Sequence, residues 1–169
     1  MQPAGRAEMR LLALAVAFGL VAAPALAQNA AQIAKVEDGA GCPHCNLFQI
    51  DLYNKQVRAR DFAGSRMRQG DFSLSVFNKT NFAGADLRDV NAYGALFSGA
   101  DLKHADLTNA SFVGAFMGGA NLSGAKLEGA NFSGAEMDRA IGLTQSQLGK
   151  ACGDETTTLP HGLHIPACK

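Results

Sequence analysis

Residues 80–89 read TNFAG ADLRD, residues 100–114 read ADLKH ADLTN ASFVG, and residues 120–134 read ANLSG AKLEG ANFSG. Each five-residue unit has a small residue first, a large apolar residue third and, in most units, Asp or Asn between them. The same spacing extends from Leu47 to Met137, where 17 of the 19 residues at every fifth position are Leu, Phe or Met. The chain is therefore organised as a repeat of five residues.

Neither standard backbone period explains this repeat. Five residues turn a helix by about 500°, so successive large side chains would wander around its surface. On a straight strand, a step of five would point them alternately to opposite faces. All of them reach one interior only if the chain itself turns every five residues, which is typical of a solenoid. The sequence has no Pro between Pro43 and Pro160, and stacked coils need their backbone N–H donors.

The units resemble those of the pentapeptide repeat family, whose motif is A-[DN]-[LF]-x-x. The resemblance covers about residues 45–140. It implies an all-β fold, a right-handed quadrilateral β-helix with four units in each coil. Nineteen units would then form about 4.75 coils, a stack roughly 23 Å long at about 4.8 Å per coil.

The N-terminal residues have the pattern of a signal peptide. Arg6 and Arg10 precede an apolar run at residues 11–21, and residues 22–27 read AAPALA. A positive segment, a short apolar run and an Ala-x-Ala cleavage site predict removal of residues 1–27 and export to the periplasm or beyond the cell. The run is shorter than the roughly 20 residues of a membrane span, and no Cys follows it, so no stable membrane anchor is expected. A buried hydrophobic helix is the alternative interpretation.

The rest of the chain divides into three segments. Residues 28–44 form a lead-in, either flexible or a short helix, that contains the CPHC motif. Residues 45–142 form the repeat, and residues 143–169 form a C-terminal cap and tail. Residues 144–147 read TQSQ, a capping box that predicts a short capping helix to about Cys152.

Two departures from the motif predict local irregularity. Lys55 and Arg60 occupy the position of the small inward residue. Burial of either charge without a partner would be costly, so we expect an irregular first coil and a regular register only from about residue 61. Ala92 replaces a large core residue between aromatic residues one coil away on either side. Either those rings lean towards it or a small cavity remains.

The four cysteines are expected to form disulfides, because export would bring them into an oxidising compartment. We predict a Cys152–Cys168 bond across a loop of about 15 residues, with a stabilisation of about 3 kcal/mol. Cys42 and Cys45 are predicted to form a structural bridge. Their CPHC motif also resembles the active site of periplasmic thiol oxidases, in which a helix N-terminus and the His lower the thiol pKa. A thiol–disulfide redox protein is therefore the alternative function, although no βαβ pattern surrounds the motif.

The sequence offers no other chemistry of comparable strength. Two Cys and two His near the C-terminus are zinc-like ligands, but their spacing fits no compact zinc finger; they are Cys152, His161, His164 and Cys168. We find no catalytic Ser–His–Asp set and no phosphate-binding loop, so we predict a non-catalytic protein without a cofactor or a metal. The Asp residues of the repeat are explained by hydrogen bonds to the backbone.

Charge excludes the role most associated with the family, the mimicry of DNA. The chain has 15 basic and 15 acidic residues, whereas a DNA mimic needs a strongly negative surface and a cytoplasmic location. The balance also argues against a basic nucleic-acid binder. One surface column has mixed charges and predicts local ion pairing; it contains Arg66, Asp86, Asp106 and Lys126.

A second surface column is apolar where the motif calls for Asp or Asn. Four-sided coils would stack Val76, Leu96 and Phe116, with Tyr93 and Val113 around the adjacent corner. Stacked exposed apolar side chains are typical of an interaction site. We therefore predict a surface for a partner protein or for a homodimer. The alternative is that the lead-in or the C-terminal tail covers these residues.

Overall fold

Each five-residue unit contains one hydrogen-bonded backbone turn and one residue in the left-handed backbone conformation. In the computed structural model, which describes residues 28–169, the Ala105 N–H donates to the carbonyl of Leu102 at 3.1 Å, and this bond recurs along the repeat. Two residues after each large side chain the backbone is left-handed in nearly every unit, as at Gly114 with φ +66°. Gly adopts this conformation without the steric penalty of a side chain, which explains its frequency there.

Parallel pairing between every unit and the fourth unit after it gives the coil four sides. In the first coil, Asn46, Asp51, Gln56 and Asp61 form parallel bridges with Arg66, Asp71, Val76 and Asn81 respectively. We number the faces 1 to 4 in this order. Within residues 28–169 every pairing is an isolated bridge, and none extends into a continuous strand. The sides are short because the chain turns again within each five-residue unit.

The large third residues fill the axis of the stack. An aromatic series continues through it, with ring centroids 5.2 Å apart for Phe77 and Phe97 and 5.5 Å apart for Phe97 and Phe112. Ala92 is fully buried, and Phe112 meets the ring of Phe97 on the neighbouring face beside it. At Ala92 the aromatic series thus continues through Phe97 on the neighbouring face.

The small first residues also point into the core. Ala occupies this position in most of the later coils and is buried there. In the second coil the residues are Ser65, Ser75 and Thr80, which are buried and polar. Their hydroxyls donate to the carbonyls of the preceding coil, as Thr80 does to Val57 at 2.6 Å. Hydrogen bonding removes the cost of burying these groups.

A short helix covers the N-terminal end of the stack. Helix α1, Ala30–Glu37, begins after Asn29, whose side chain accepts a hydrogen bond from the N–H of Gln32. Ile33 and Val36 pack against the core. The Gln32 side-chain oxygen accepts a 2.7 Å hydrogen bond from the N–H of Asn46 and so satisfies a donor at the edge of the first coil. The lead-in therefore includes a helix.

The expectation of an irregular first coil is wrong. Its bridges and turns follow the same register as those of the later coils. Lys55 and Arg60 are both exposed. Within residues 28–169, only helix α1 and the segment around the CPHC motif lie beyond this coil, so the long side chains of Lys55 and Arg60 reach solvent there.

A second helix and the tail cover the opposite end. Helix α2, Gln145–Leu148, has the predicted capping box between Thr144 and Gln147. It ends before Cys152, earlier than expected, because Gly149 is its C-cap and the chain returns to bridge pairing at Cys152. Leu148 is fully buried. No helix within residues 28–169 is long and apolar enough to cross a membrane.

Candidate functional site

The charged column on face 1 is internally neutralised. Arg88 pairs with Asp86 at 2.7 Å, and Lys126 pairs with Asp106 at 3.3 Å. Arg68 pairs with Asp89 at 2.9 Å. The predicted local ion pairing is confirmed, and this face presents few charges that lack a partner.

Hydrogen bonding on face 1 favours the ionised carboxylates. The hydrogen bonds from Arg88 hold the pKa of Asp86 below its usual range, and the contact raises the pKa of Arg88. Burial alone would raise the pKa of Asp106, but hydrogen bonds from Thr108 and Lys126 outweigh it and lower that pKa. These carboxylates are therefore held as stable anions, which is the reverse of what a general acid near neutral pH requires.

Asp and Asn side chains at the second position of the unit accept hydrogen bonds from backbone N–H groups, as predicted. The Asp101 side chain accepts a 3.0 Å hydrogen bond from the N–H of Lys103, and Asn131 accepts one of 2.8 Å from Ser133. Each carboxylate or amide thus satisfies a donor two residues later. Face 3 lacks these residues, so its outward position is available for another purpose.

The apolar column on face 3 is exposed at its centre and closed at one end. Leu96 is 38% exposed, and Phe116 is half-buried beside it. Val76 is only 6% exposed, so its place in the predicted exposed surface needs correction. Gln56 and Leu96 lie directly before and after it in the column. The short Val76 side chain lies between these two longer residues in the column, and little of it reaches solvent.

Tyr93 and Val113 extend the apolar column around the corner towards face 2. Tyr93 is 54% exposed, and Val113, one coil later, is half-buried. The sequence analysis missed Leu74, which is 45% exposed and packs against Gly94. A signal was present: Leu74 is the one large apolar residue at a repeat position otherwise held by Gly, Ala or polar residues. We define the apolar surface as Leu74, Tyr93, Leu96, Val113 and Phe116.

An open groove of about 370 Å³ borders Phe116. It is lined by Ser98, Phe116, Gly118, Gly119 and Arg139. A side-chain carbon at Gly118 would lie 2.7 Å from the Phe116 ring, so glycine is required for the ring to lie against this face. The apolar surface thus continues into a concave site.

The CPHC motif lies inside the stack and not at the start of a helix. The Cys42 and Cys45 sulfurs are paired in the structure, their Cα atoms are 5.6 Å apart, and both residues are buried. Helix α1 ends at Glu37, before the motif. The His44 ring lies over Gly64. The structure therefore does not assemble an accessible thiol at a helix N-terminus, which thiol-redox chemistry needs.

The C-terminal cysteines lie together, and the histidines lie apart from them. Cys152 and Cys168 are paired, with Cα atoms 4.8 Å apart. His161 and His164 are exposed on the tail. Among residues 28–169, no three His, Cys, Asp or Glu side chains are grouped closely enough to hold a metal ion.

The family model described as pentapeptide repeats matches this chain in eight copies, over residues 61–91, 85–124, 107–141 and 117–151. No curated protein matches the chain. Among solved structures, a pentapeptide repeat protein from the Arabidopsis thaliana thylakoid lumen is 33% identical. That match covers 57% of this chain and 70% of the other, with a TM-score of 0.42.

Two further structures are similar at lower identity. QnrB1, a plasmid-mediated fluoroquinolone resistance protein, is 17% identical over 66% of this chain and 61% of its own, with a TM-score of 0.37. The pentapeptide repeat protein Rfr23 from the cyanobacterium Cyanothece 51142 is 16% identical over 76% and 97%, with a TM-score of 0.34.

Proposed function

Because the chain belongs to the pentapeptide repeat family, we propose that it is a non-catalytic, exported protein whose role is to bind protein through the apolar surface. The coils would wind right-handedly, as in that family. The proposal rests on one observation: Leu96 remains exposed at the outward position of face 3, where the repeat could hold Asp or Asn, and the exposed Tyr93 lies around the adjacent corner. Stacked exposed apolar side chains on a folded protein usually serve an interaction.

The two caps leave the apolar surface open. Helix α1 and the tail both pack against the ends of the core, where Ile33, Leu159 and Leu163 contact it. Tyr93 and Leu96 are exposed although the structure includes the lead-in, residues 28–44, and the tail, residues 143–169. The lead-in and the tail therefore do not serve as the cover for this surface.

Export is supported by the pairing of the cysteines. The predicted signal peptide, residues 1–27, lies outside the described residues. The two cysteine pairs, Cys42–Cys45 and Cys152–Cys168, have their sulfur atoms together. Disulfides are favoured in the periplasm or outside the cell and are rare in the cytosol. We propose that both pairs are oxidised in the exported protein.

Replacement of Leu96 and Phe116 by Asp tests the proposed function. We expect the double variant to fold, because both sites face outward, and to lose the proteins that co-purify with the tagged wild type, including a differently tagged copy of itself. Ile141→Asp is the matched control, since Ile141 is 54% exposed on face 4. Unchanged binding partners and an unchanged oligomeric state in the double variant would overturn the proposed function.

A further inference from the structure

Charge on face 3 changes sign from one end of the stack to the other. The face 3 unit of the first coil contains Lys55 and Arg58, and the unit of the fifth coil contains Glu136 and Asp138. All four side chains are exposed. The units of the third and fourth coils, ALFSG and AFMGG, are uncharged and contain Leu96 and Phe116. The second-coil unit, SVFNK, adds the exposed Lys79, and the fifth-coil unit also contains Arg139. Face 3 is thus basic over its first two coils, uncharged in the third and fourth coils, and acidic by a net charge of −1 in the fifth.

These terminal charges lack strong partners inside the chain. Within residues 28–169, Arg58 and Glu136 form no ion pair, and Asp138 contacts only the neighbouring Arg139 at 3.8 Å. On face 1, in contrast, the charges pair at 2.7 to 3.3 Å. Face 1 is thus neutralised by short ion pairs, whereas face 3 has separated ends at which the one ion pair among the described residues is the longer contact between Asp138 and Arg139.

The positions on face 3 are symmetric about its third coil. Arg58 lies two coils before Ser98 and Asp138 lies two coils after it, all three at the same place in the unit. Val76 lies one coil before Leu96, and Phe116 lies one coil after it. Two coils span about 10 Å, so each charged end lies about 10 Å from the centre.

From this symmetry we propose that the apolar surface binds a second copy of this chain, face 3 to face 3 and antiparallel, about a twofold axis at Leu96. The proposal rests on the proposed function and names its partner. A twofold contact must be self-complementary, since each patch meets its own copy. Here Leu96 meets Leu96 of the second copy, and the large, half-buried Phe116 meets the smaller, buried Val76. Arg58 of each copy then faces Asp138 of the other.

The same arrangement places the basic end of each copy over the acidic end of the other, and places Lys79 over the uncharged Gly119. Arg139 reduces the net charge of the acidic end to −1. In the antiparallel dimer Arg139 lies opposite Ala59 of the other copy, which is uncharged. Leu74, the large residue at the corner, faces Gly114 across the axis. A parallel arrangement would instead place Arg58 beside Arg58 and Asp138 beside Asp138, and like charges across an interface are unfavourable.

Sedimentation of charge-reversed variants tests the antiparallel dimer. The protein is expressed from its full-length sequence as wild type, Arg58→Glu and Asp138→Arg, with Lys103→Glu on face 4 as the control. Each face 3 variant places like charges together twice in its own dimer, so we expect its dissociation constant to rise about tenfold or more. An equimolar mixture of the two variants restores both attractive contacts, and we expect heterodimers of nearly wild-type affinity.

The remaining outcomes overturn the inference. A wild type that is monomeric at every concentration tested excludes the dimer. Variants that dimerise as well as the wild type exclude face 3 as its interface, and a mixture that stays monomeric excludes the antiparallel arrangement. None of these results rejects the proposed function by itself. That is decided by co-purification with the Leu96→Asp and Phe116→Asp double variant, which also detects partners other than a second copy.

Discussion

The Thr80 hydroxyl lies in the core of the second coil and donates a 2.6 Å hydrogen bond to the carbonyl of Val57. Ser65 makes the equivalent bond to Cys42, also at 2.6 Å. Most later coils hold Ala at these positions. The three buried hydroxyls of the second coil donate to the carbonyls of Cys42, Leu52 and Val57, all near the N-terminal end of the stack. The small inward position therefore serves packing in the later coils and hydrogen bonding in the second.

Thr80→Val is expected to destabilise the protein by about 1–3 kcal/mol, because a buried carbonyl would lose its hydroxyl donor while the side-chain volume stays nearly constant. Urea unfolding followed by circular dichroism measures the change. Thr80→Ser keeps the hydroxyl, as the chain itself does at Ser65 and Ser75, and should recover most of the stability. Equal losses in the Val and Ser variants would show that the hydrogen bond is unimportant.

Exposure of single residues was harder to predict than their position in the repeat. Val76 and Leu96 occupy the same position on face 3, yet Val76 is buried and Leu96 is exposed. Val76 is a short residue between two longer ones in the column, and a motif does not record such local differences in size. Leu74 could have been found, because a large apolar residue at a left-handed corner with φ +57° is unusual.

At the scale of elements, both ends of the stack are covered by a short helix joined to a paired segment. Helix α1 covers the first coil. After the helix, the backbone N–H groups of Cys42 and His44 donate to carbonyls on face 4 of the first coil at 2.8 and 2.9 Å. Helix α2 begins the opposite cap, where the Gln147 amide donates to the carbonyls of Leu122 and Ala125, both at 2.9 Å. Each cap satisfies edge groups that would otherwise be open to pairing with another chain.

The two cysteine pairs should differ in their contribution to stability. Cys152 and Cys168 are 16 positions apart, and Cys42 and Cys45 are 3 apart. A disulfide restricts the unfolded chain more when its loop is longer, so loss of the C-terminal bond should cost about 3 kcal/mol and loss of the N-terminal bond about 2 kcal/mol. Urea unfolding of Cys168→Ser and Cys45→Ser under oxidising conditions compares them. A Cys168→Ser protein as stable as the wild type would contradict this account.

At the scale of the whole molecule, the five-residue period was sufficient to predict a solenoid but not the number of its sides. The bridges from Asn46 to Arg66 and onwards supply that number, four. The regularity of the first coil could not be predicted from Lys55 and Arg60. A charge at the small-residue position is buried, and therefore costly, only where coils on both sides enclose the side chain. The location of the C-terminal cap followed from its capping box, whereas the length of helix α2 depended on the return of the chain to pairing.

The candidate site also appears only at this scale. Leu96 and Phe116 lie one coil apart and share one face because the coil has four sides. Arg58 and Asp138 fall on that face for the same reason, which makes the separation of charge a property of the stacked coils. The short ion pairs of face 1 and the more weakly paired ends of face 3 together favour face 3 as the binding face.

Photo-cross-linking from position 96 in living cells tests this central claim most directly. A photoreactive amino acid replaces Leu96 or Phe116 in separate variants, with Ile141 on face 4 as the control site of comparable exposure. The account predicts discrete cross-linked protein adducts from positions 96 and 116 and a much lower yield from position 141. An absence of adducts from position 96, or an equal yield from position 141, would contradict it.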